Sequence, residues 1–310
     1  MTLSRGAIGN LVNRYRAVLR KCRMMNVFGS LAVAGMLVAG NAGFAGAEEL
    51  SGDISPISLS GDTRNIIGVG DISLRSTEPA LRYLINVSGQ GQLDISMSNG
   101  SPMAVGNADG IYLKDYSDSD QYASAFHVAG SGSSGSFAGT GTFSMVGGGK
   151  LLGVCAFLSE SKGTLTLSGD ITGEAEAVMN GSNGYASFAA AAAGGNLVFG
   201  GDRTTLRAKA STGNNANGAF VKYGGMIDFA SKSVLIESKN TDSNSVGINC
   251  ADGTVKTSAD TDLDIVVEGN KATTGIQLTA SSSDVQLAGN LDLTATQTGQ
   301  DSFASVLGIS

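Results

Sequence analysis

The residues of this chain whose types could do chemistry are few: one histidine, three cysteines and a short acidic run. His127 sits in Ala125-Phe126-His127-Val128, beside a glycine-rich loop. A hydrolytic triad needs a nucleophile within its reach and an acid that orients it. No Gly-x-Ser-x-Gly elbow is placed at a strand-to-helix turn, so His127 reads as a strand histidine. Asp115, Asp118 and Asp120 form an acidic loop. Calcium favours clustered carboxylates, but this spacing is neither an EF-hand nor a Gly-Gly-x-Gly-x-Asp repeat. The loop is either a solvated turn or a weak calcium site. One histidine and two distant cysteines do not make a zinc site of normal ligand count. No catalytic, cofactor or metal residue is assigned, and no cofactor is expected.

Three glycine motifs lack the context their chemistry requires. Gly130-Ser131-Gly132-Ser133-Ser134-Gly135 has the dinucleotide-binding spacing without a following helix. Gly147-Gly148-Gly149-Lys150 continues into Leu151, and Ser144 stands where a phosphate loop needs its first glycine. Gly70-Asp71-Ile72-Ser73-Leu74 differs from the Gly-Asp-Ser-Leu block of some secreted esterases by the intervening Ile72. Gly-Asp recurs at Gly52-Asp53, Gly61-Asp62, Gly169-Asp170 and Gly201-Asp202, as turn punctuation does.

The elements that would position these residues follow a repeat. Glycine-led strand starts occur at Gly110, Gly153, Gly184, Gly218, Gly247, Gly275 and Gly308. Each opens three short strands and three turns, as in Gly275-Ile276-Gln277-Leu278, Val285-Gln286-Leu287 and Leu291 to Ala295. Such units bury their apolar faces by stacking. The fold class predicted is all-β, a right-handed parallel β-helix of degenerate strand-turn repeats, each about 30 residues long. The repeat glycines are expected at corners, where unusual backbone angles are needed, and Ala189 to Gly195 is expected to bulge out as a loop. A β-sandwich with frequent turns is the alternative, but it has no reason to keep a long period. Residues 48–149 read as a β-rich capping region and 150–310 as the repeat stem, incomplete at its C-terminus.

Charge is placed unevenly. Residues 1–47 hold six basic residues and no acid, which leaves 14 basic against 27 acidic residues and a net charge of −13 on the rest. That balance argues against nucleic acid as a partner. Arg14 to Arg23 is a basic stretch, Val27 to Ala39 an apolar one, and Ala45-Gly46-Ala47 a small-x-small site before Glu48. Together they read as a secretory signal peptide over residues 1–47, cleaved between Ala47 and Glu48. A retained anchor is the alternative, for which the glycine-broken apolar stretch is short.

About 25 residues precede that apolar core, and Asn13 to Arg23 followed by the core and Ala-Gly-Ala resembles the extended signal peptides of bacterial autotransporters. With the glycine-rich repeats of Gly153 to Ser310, the resemblance spans nearly the whole chain. It implies an exported, non-enzymatic passenger with a structural or adhesive role. The implied partners are the general secretion machinery, an outer-membrane barrel encoded downstream and a host or matrix ligand. A barrel would place the chain at the cell surface or outside the cell; ending at Ser310, it would be periplasmic. The alternative function is a secreted β-helix enzyme acting on polysaccharide or ester substrates. The absence of tryptophan counts against the sugar-processing form.

Cys22 leaves with the leader. Cys155 and Cys250 lie three repeats apart, about 14 Å at the strand spacing, beyond the reach of a disulfide. Both are expected as free thiols, Cys250 in the core and Cys155 facing outward.

Overall fold

The computed structural model describes residues 47–78, 81–98, 100–107, 122–147, 153–178, 186–211 and 215–299, with the backbone of 306–309. The leader with Ala45, the acidic residues Asp115, Asp118 and Asp120, and the repeat glycines Gly110 and Gly184 lie outside the described residues.

Among the described residues the chain is all strand, with no helix. In order, the strands are β1 (Glu48–Asp53), β2 (Ile57–Ser60), β3 (Thr63–Ser76), β4 (Tyr83–Ser88), β5 (Gln92–Met97), β6 (Pro102–Asn107), β7 (Tyr122–Ala129) and β8 (Ser134–Gly147). There follow β9 (Gly153–Glu160), β10 (Thr164–Ala177), β11 (Ala186–Ala193), β12 (Asn196–Ala210), β13 (Asn215–Lys222), β14 (Gly225–Phe229) and β15 (Ser233–Asn240). The last are β16 (Ser245–Cys250), β17 (Gly253–Thr257), β18 (Asp262–Gly269), β19 (Thr273–Leu278), β20 (Ser283–Gln286), β21 (Asn290–Gln297) and β22 (Val306–Ile309).

These strands stack in parallel ladders as a right-handed β-helix. Each coil lays one strand on a nine-stranded sheet, β2-β4-β7-β9-β11-β13-β16-β19-β22, and the remainder on a thirteen-stranded sheet. The larger sheet turns a corner. In β8, Ser134–Ala138 pairs with β5 and Thr140–Phe143 with β6, so one long strand covers two sides. Gly139, Gly169 and Gly201 mark that corner with positive φ of 137°, 111° and 95°. A Cβ on Gly169 would meet the Gly139 carbonyl, and one on Gly201 the Gly169 amide, so the corner requires glycine for space as well as angle.

The repeat length follows from the ladders. Ala219, Ile248 and Ile276 are successive neighbours, 29 and 28 residues apart. Residues 48–149, set apart in the sequence as a capping region, enter the same two sheets as the stem: β7 pairs with β9 and β8 with β10.

Two sequence expectations are corrected. Among the described repeat glycines, Gly218, Gly247 and Gly275 lie within strands and not at corners. The alternation of side chains slips once in each of several strands of the nine-stranded sheet, so two consecutive residues face the lumen. Ala156 and Phe157 do so between the outward Cys155 and Leu158, and Ala189 and Ala190 between Phe188 and Ala191. Gly218 and Gly247 take the first of these two places in later coils. A Cβ on Gly247 would collide with Ile265 and the Gly275 carbonyl, so the opposite sheet fills that space. Nor is Ala189 to Gly195 a bulge, because β11 runs straight through Ala193, buried along its whole length. Both faces of the strand are covered there, and alanine fits that space.

The lumen holds one continuous core from Ile57 to Ile276. Phe126, Phe143, Phe157, Phe199 and Phe229 fill its middle coils, with successive ring centres 5.1 to 6.0 Å apart. Burying each such ring or aliphatic chain stabilises the fold by roughly 1.5–3 kcal/mol. Among the described residues there is no turn of helix, so the ladders between coils carry their main-chain hydrogen bonds.

Candidate interaction face

The slip in alternation decides what the nine-stranded sheet shows to the outside. Before the slip, the outward ladder runs Tyr83, Ser124, Cys155, Phe188. After it, the outward ladder runs Asn86, His127, Leu158, Ala191, Phe220. Tyr122, Cys155, Leu158, Ala186, Phe188 and Ala191 pack as a second apolar cluster outside the lumen, with Tyr83 and Phe220 against it. Phe188 stacks on Phe220 at 4.7 Å, and Tyr122 meets Phe188 edge-on at 5.9 Å.

His127 lies at the polar end of this face, buried and stacked on Tyr83 at 3.9 Å. Nδ1 is 2.8 Å from Asn86 Oδ1 and Nε2 is 3.0 Å from Glu160 Oε2. Both ring nitrogens are engaged, so neither is open to take a proton from Ser124 or Cys155. The arrangement orients an imidazole without giving it a nucleophile. Arg82 donates from Nε and Nη2 to the Tyr122 carbonyl at 3.1 and 3.0 Å, and from Nη2 to the Tyr83 hydroxyl at 2.8 Å. Its guanidinium carbon is 4.8 Å from the Tyr83 ring centre, within cation–π range. Pro56, Ser58, Leu81, Arg82, Tyr83 and Asn86 line a shallow cavity of about 310 Å³ at this end.

At the other end, Lys222 Nζ lies 4.9 Å from the Tyr122 ring and 4.5 Å from that of Tyr223. Tyr223 is 71 % exposed and held at φ 56° on the turn. Burial pushes the Tyr122 hydroxyl far above its ordinary range, with Cys155, Glu160 and Tyr223 adding to it. Burial likewise raises the Cys155 thiol; Glu160 raises it further and Lys222 opposes. A thiol kept protonated is no nucleophile. The rings of this cluster are buried against one another, so what is open to a partner is the half-buried Arg82, Tyr83 and Asn86 at one end and the exposed Tyr223 at the other.

The residues singled out in the sequence are not brought together. Ala47 and Glu48 are exposed, and Glu48 opens β1 with an ion pair to Arg64 at 2.7 Å. Cys155 and Cys250 are both buried and unbridged. They lie three ladder steps apart, Cys250 in the lumen and Cys155 outside it. Gly52, Gly61, Gly169 and Gly201 of the Gly-Asp pairs have positive φ, whereas Gly70, within β3, does not. Among the described residues no group of three or more His, Cys, Asp or Glu could hold a metal ion. The outer cluster was missed because its members belong to different repeats, and only the inter-coil register unites them.

No family model, no curated protein and no solved structure matches the chain.

Proposed function

We propose that the chain is an exported bacterial surface protein, a non-enzymatic autotransporter-like passenger with a structural or adhesive role. The observation that carries this reading is a coincidence of position. The first ladder of the β-helix opens at Glu48, directly behind Ala45-Gly46-Ala47, so cleavage after Ala47 would release the folded unit with no linker. The engaged nitrogens of His127 and the buried Cys155 thiol also favour binding over covalent chemistry. The contact surface is the outer face of the nine-stranded sheet, where Tyr83, Arg82 and Asn86 line the cavity and Tyr223 projects. Surface display falls to an outer-membrane barrel, as the family resemblance implies. N-terminal sequencing of the exported protein in a bacterial host tests the reading: Glu48 is the expected first residue, and material that retains Met1 in the inner membrane defeats it.

A further inference from the structure

Past the corner marked by Gly139, Gly169 and Gly201, the second halves of β8, β10 and β12 run side by side, with β15 next to them. Their outward residues fall into rows, because ladder neighbours share a register. β10 places Asp170, Glu174 and Glu176 in three of these rows, and β12 places Arg203, Arg207 and Lys209 beside them in the same rows. Three carboxylates on one coil therefore lie next to three cations on the following coil. β8, on the far side of β10, carries no charge in these rows. β15, on the far side of β12, carries one charge of each sign, Glu237 and Lys239. Within the chain Arg203 Nη2 donates to Asp170 Oδ2 at 3.4 Å and Arg207 Nη1 to Glu174 Oε1 at 3.2 Å, and Arg207 also pairs with Glu237. The side chains of the first two pairs remain 37 to 64 % exposed, and Lys209 is exposed as well.

We propose that this charged band is a self-association surface on which a second copy of the chain docks face to face, with the two β-helices antiparallel. A two-fold axis between β10 and β12, directed along the strands, lays β10 of each copy over β12 of the other and keeps every row on itself. Asp170 then faces Arg203, Glu174 faces Arg207 and Glu176 faces Lys209 of the second copy, each pair occurring twice. The uncharged rows of β8 fall over β15, so no like charges oppose one another across these four strands. The parallel arrangement, with the axis along the β-helix, would lay β10 on β10 and β12 on β12, like charge on like. Four strands at the ladder spacing, over the length of Asp170 to Ala177, cover about 500 Å² per copy. A standard stable interface covers roughly 800 Å² per partner, so this pairing is weak and reversible. The net charge of −13 beyond residue 47 opposes association at long range. Salt at about 0.1 M limits that repulsion to about 10 Å and leaves the facing pairs to act. The band is separate from the outer side of the nine-stranded sheet, so the proposal does not rest on the function proposed above.

The test is sedimentation equilibrium of the full chain at about 0.1 M and about 1 M salt. A monomer–dimer mixture is expected at the lower concentration of salt and monomer at the higher. Lys209→Glu and Glu176→Lys should each raise the dissociation constant at least about tenfold, since each opposes like charges twice across the two-fold. An equimolar mixture of these two variants should associate as the parent chain does, because every altered residue then faces its opposite. Lys271→Glu, the same change at an exposed position off this face, should leave association unchanged. If either variant loses its folded circular dichroism, Arg203→Glu mixed with Asp170→Lys decides in their place. A monomer at about millimolar concentration in the lower salt, association indifferent to salt, equal effects of Lys209→Glu and Lys271→Glu, or a mixture no tighter than its components would each overturn the proposal.

Discussion

At the scale of single residues, position relative to the lumen decides the outcome of a change. The outward direction of Cys155 was legible from its alternation with Val154 and Ala156. Its burial was not, because the rings that cover it come from neighbouring coils. Iodoacetamide should leave Cys155 and Cys250 unmodified in the native chain and modify both in denaturant without reductant. Modification in the native state would show that one of them is exposed. The raised Cys155 and Tyr122 pKa values have a further consequence. Folded, these groups keep their protons, whereas unfolded they ionise near about 8.5 and about 10. Their contribution to stability is therefore fully present below about pH 8.5 and declines as pH rises beyond it. Denaturation midpoints measured from pH 7 to 10 should fall, and Cys155→Ala should flatten the early part of that fall. Ile276→Asp, at a lumen position 1 % exposed, should cost several kcal/mol, and Gln277→Asp, half-buried on the outside, far less. Equal losses in chemical denaturation would contradict the inward direction of Ile276.

At the scale of elements, the period was readable and the reason for the glycines was not. Spacings near 29 residues survive in the ladders because each coil must return to the same place. The sequence does not announce that Gly218 and Gly247 sit mid-strand, since the side chains that exclude a Cβ, Ile236 and Ile265, are a half-coil away. Gly247→Ala should therefore destabilise the fold by about 1–3 kcal/mol in urea titration, as overpacking does. A neutral result would mean that the opposite sheet is free to recede. The alanine run of β11 misled for a related reason: it has no alternation to read when both faces are buried. The turns that lead from the nine-stranded sheet hold non-glycine residues at left-handed angles, Gln90, Ser161, Lys162 and Tyr223 among them. Lys162, at φ 69°, forgoes roughly 1–2 kcal/mol there. Lys162→Gly recovers part of this against the greater freedom of the unfolded chain. A rise in stability of about 0.5 kcal/mol is expected, and a loss would show that the Lys162 side chain holds the turn.

At the scale of the whole molecule, the fold class was legible because a β-helix writes its period directly into the sequence. What lies on its surface was not, because surface ladders join residues about 30 positions apart. Stability is also distributed along the axis. The phenylalanine-filled coils between β7 and β14 pack on both sides, whereas among the described residues β20 pairs only with β17 and β21 only with β18. In a stacked array each coil is held by its neighbours, so opening starts where a neighbour is lacking. Amide hydrogen exchange should be fastest in β20 and β21, slower in β17 and β18, and slowest in β8 to β12. Uniform protection from β8 to β21 would mean that the chain opens in a single step.

The division of aromatic rings between the inside and the outside of the nine-stranded sheet gives the molecule two separate optical reporters. The chain has no tryptophan. Tyr83, Tyr122 and Tyr223 stand outside the lumen, whereas Phe126, Phe137, Phe143, Phe157, Phe199 and Phe229 lie within it. The sharp phenylalanine bands of near-ultraviolet circular dichroism are therefore weighted toward the interior, with Phe188 and Phe220 adding a contribution from the flank. The broader tyrosine band, given its handedness by the stack of Tyr83 on His127, reads the flank. A ligand that settles over Tyr83 would alter the second band and leave the first as it was, so occupancy and unfolding have different colours in the same spectrum.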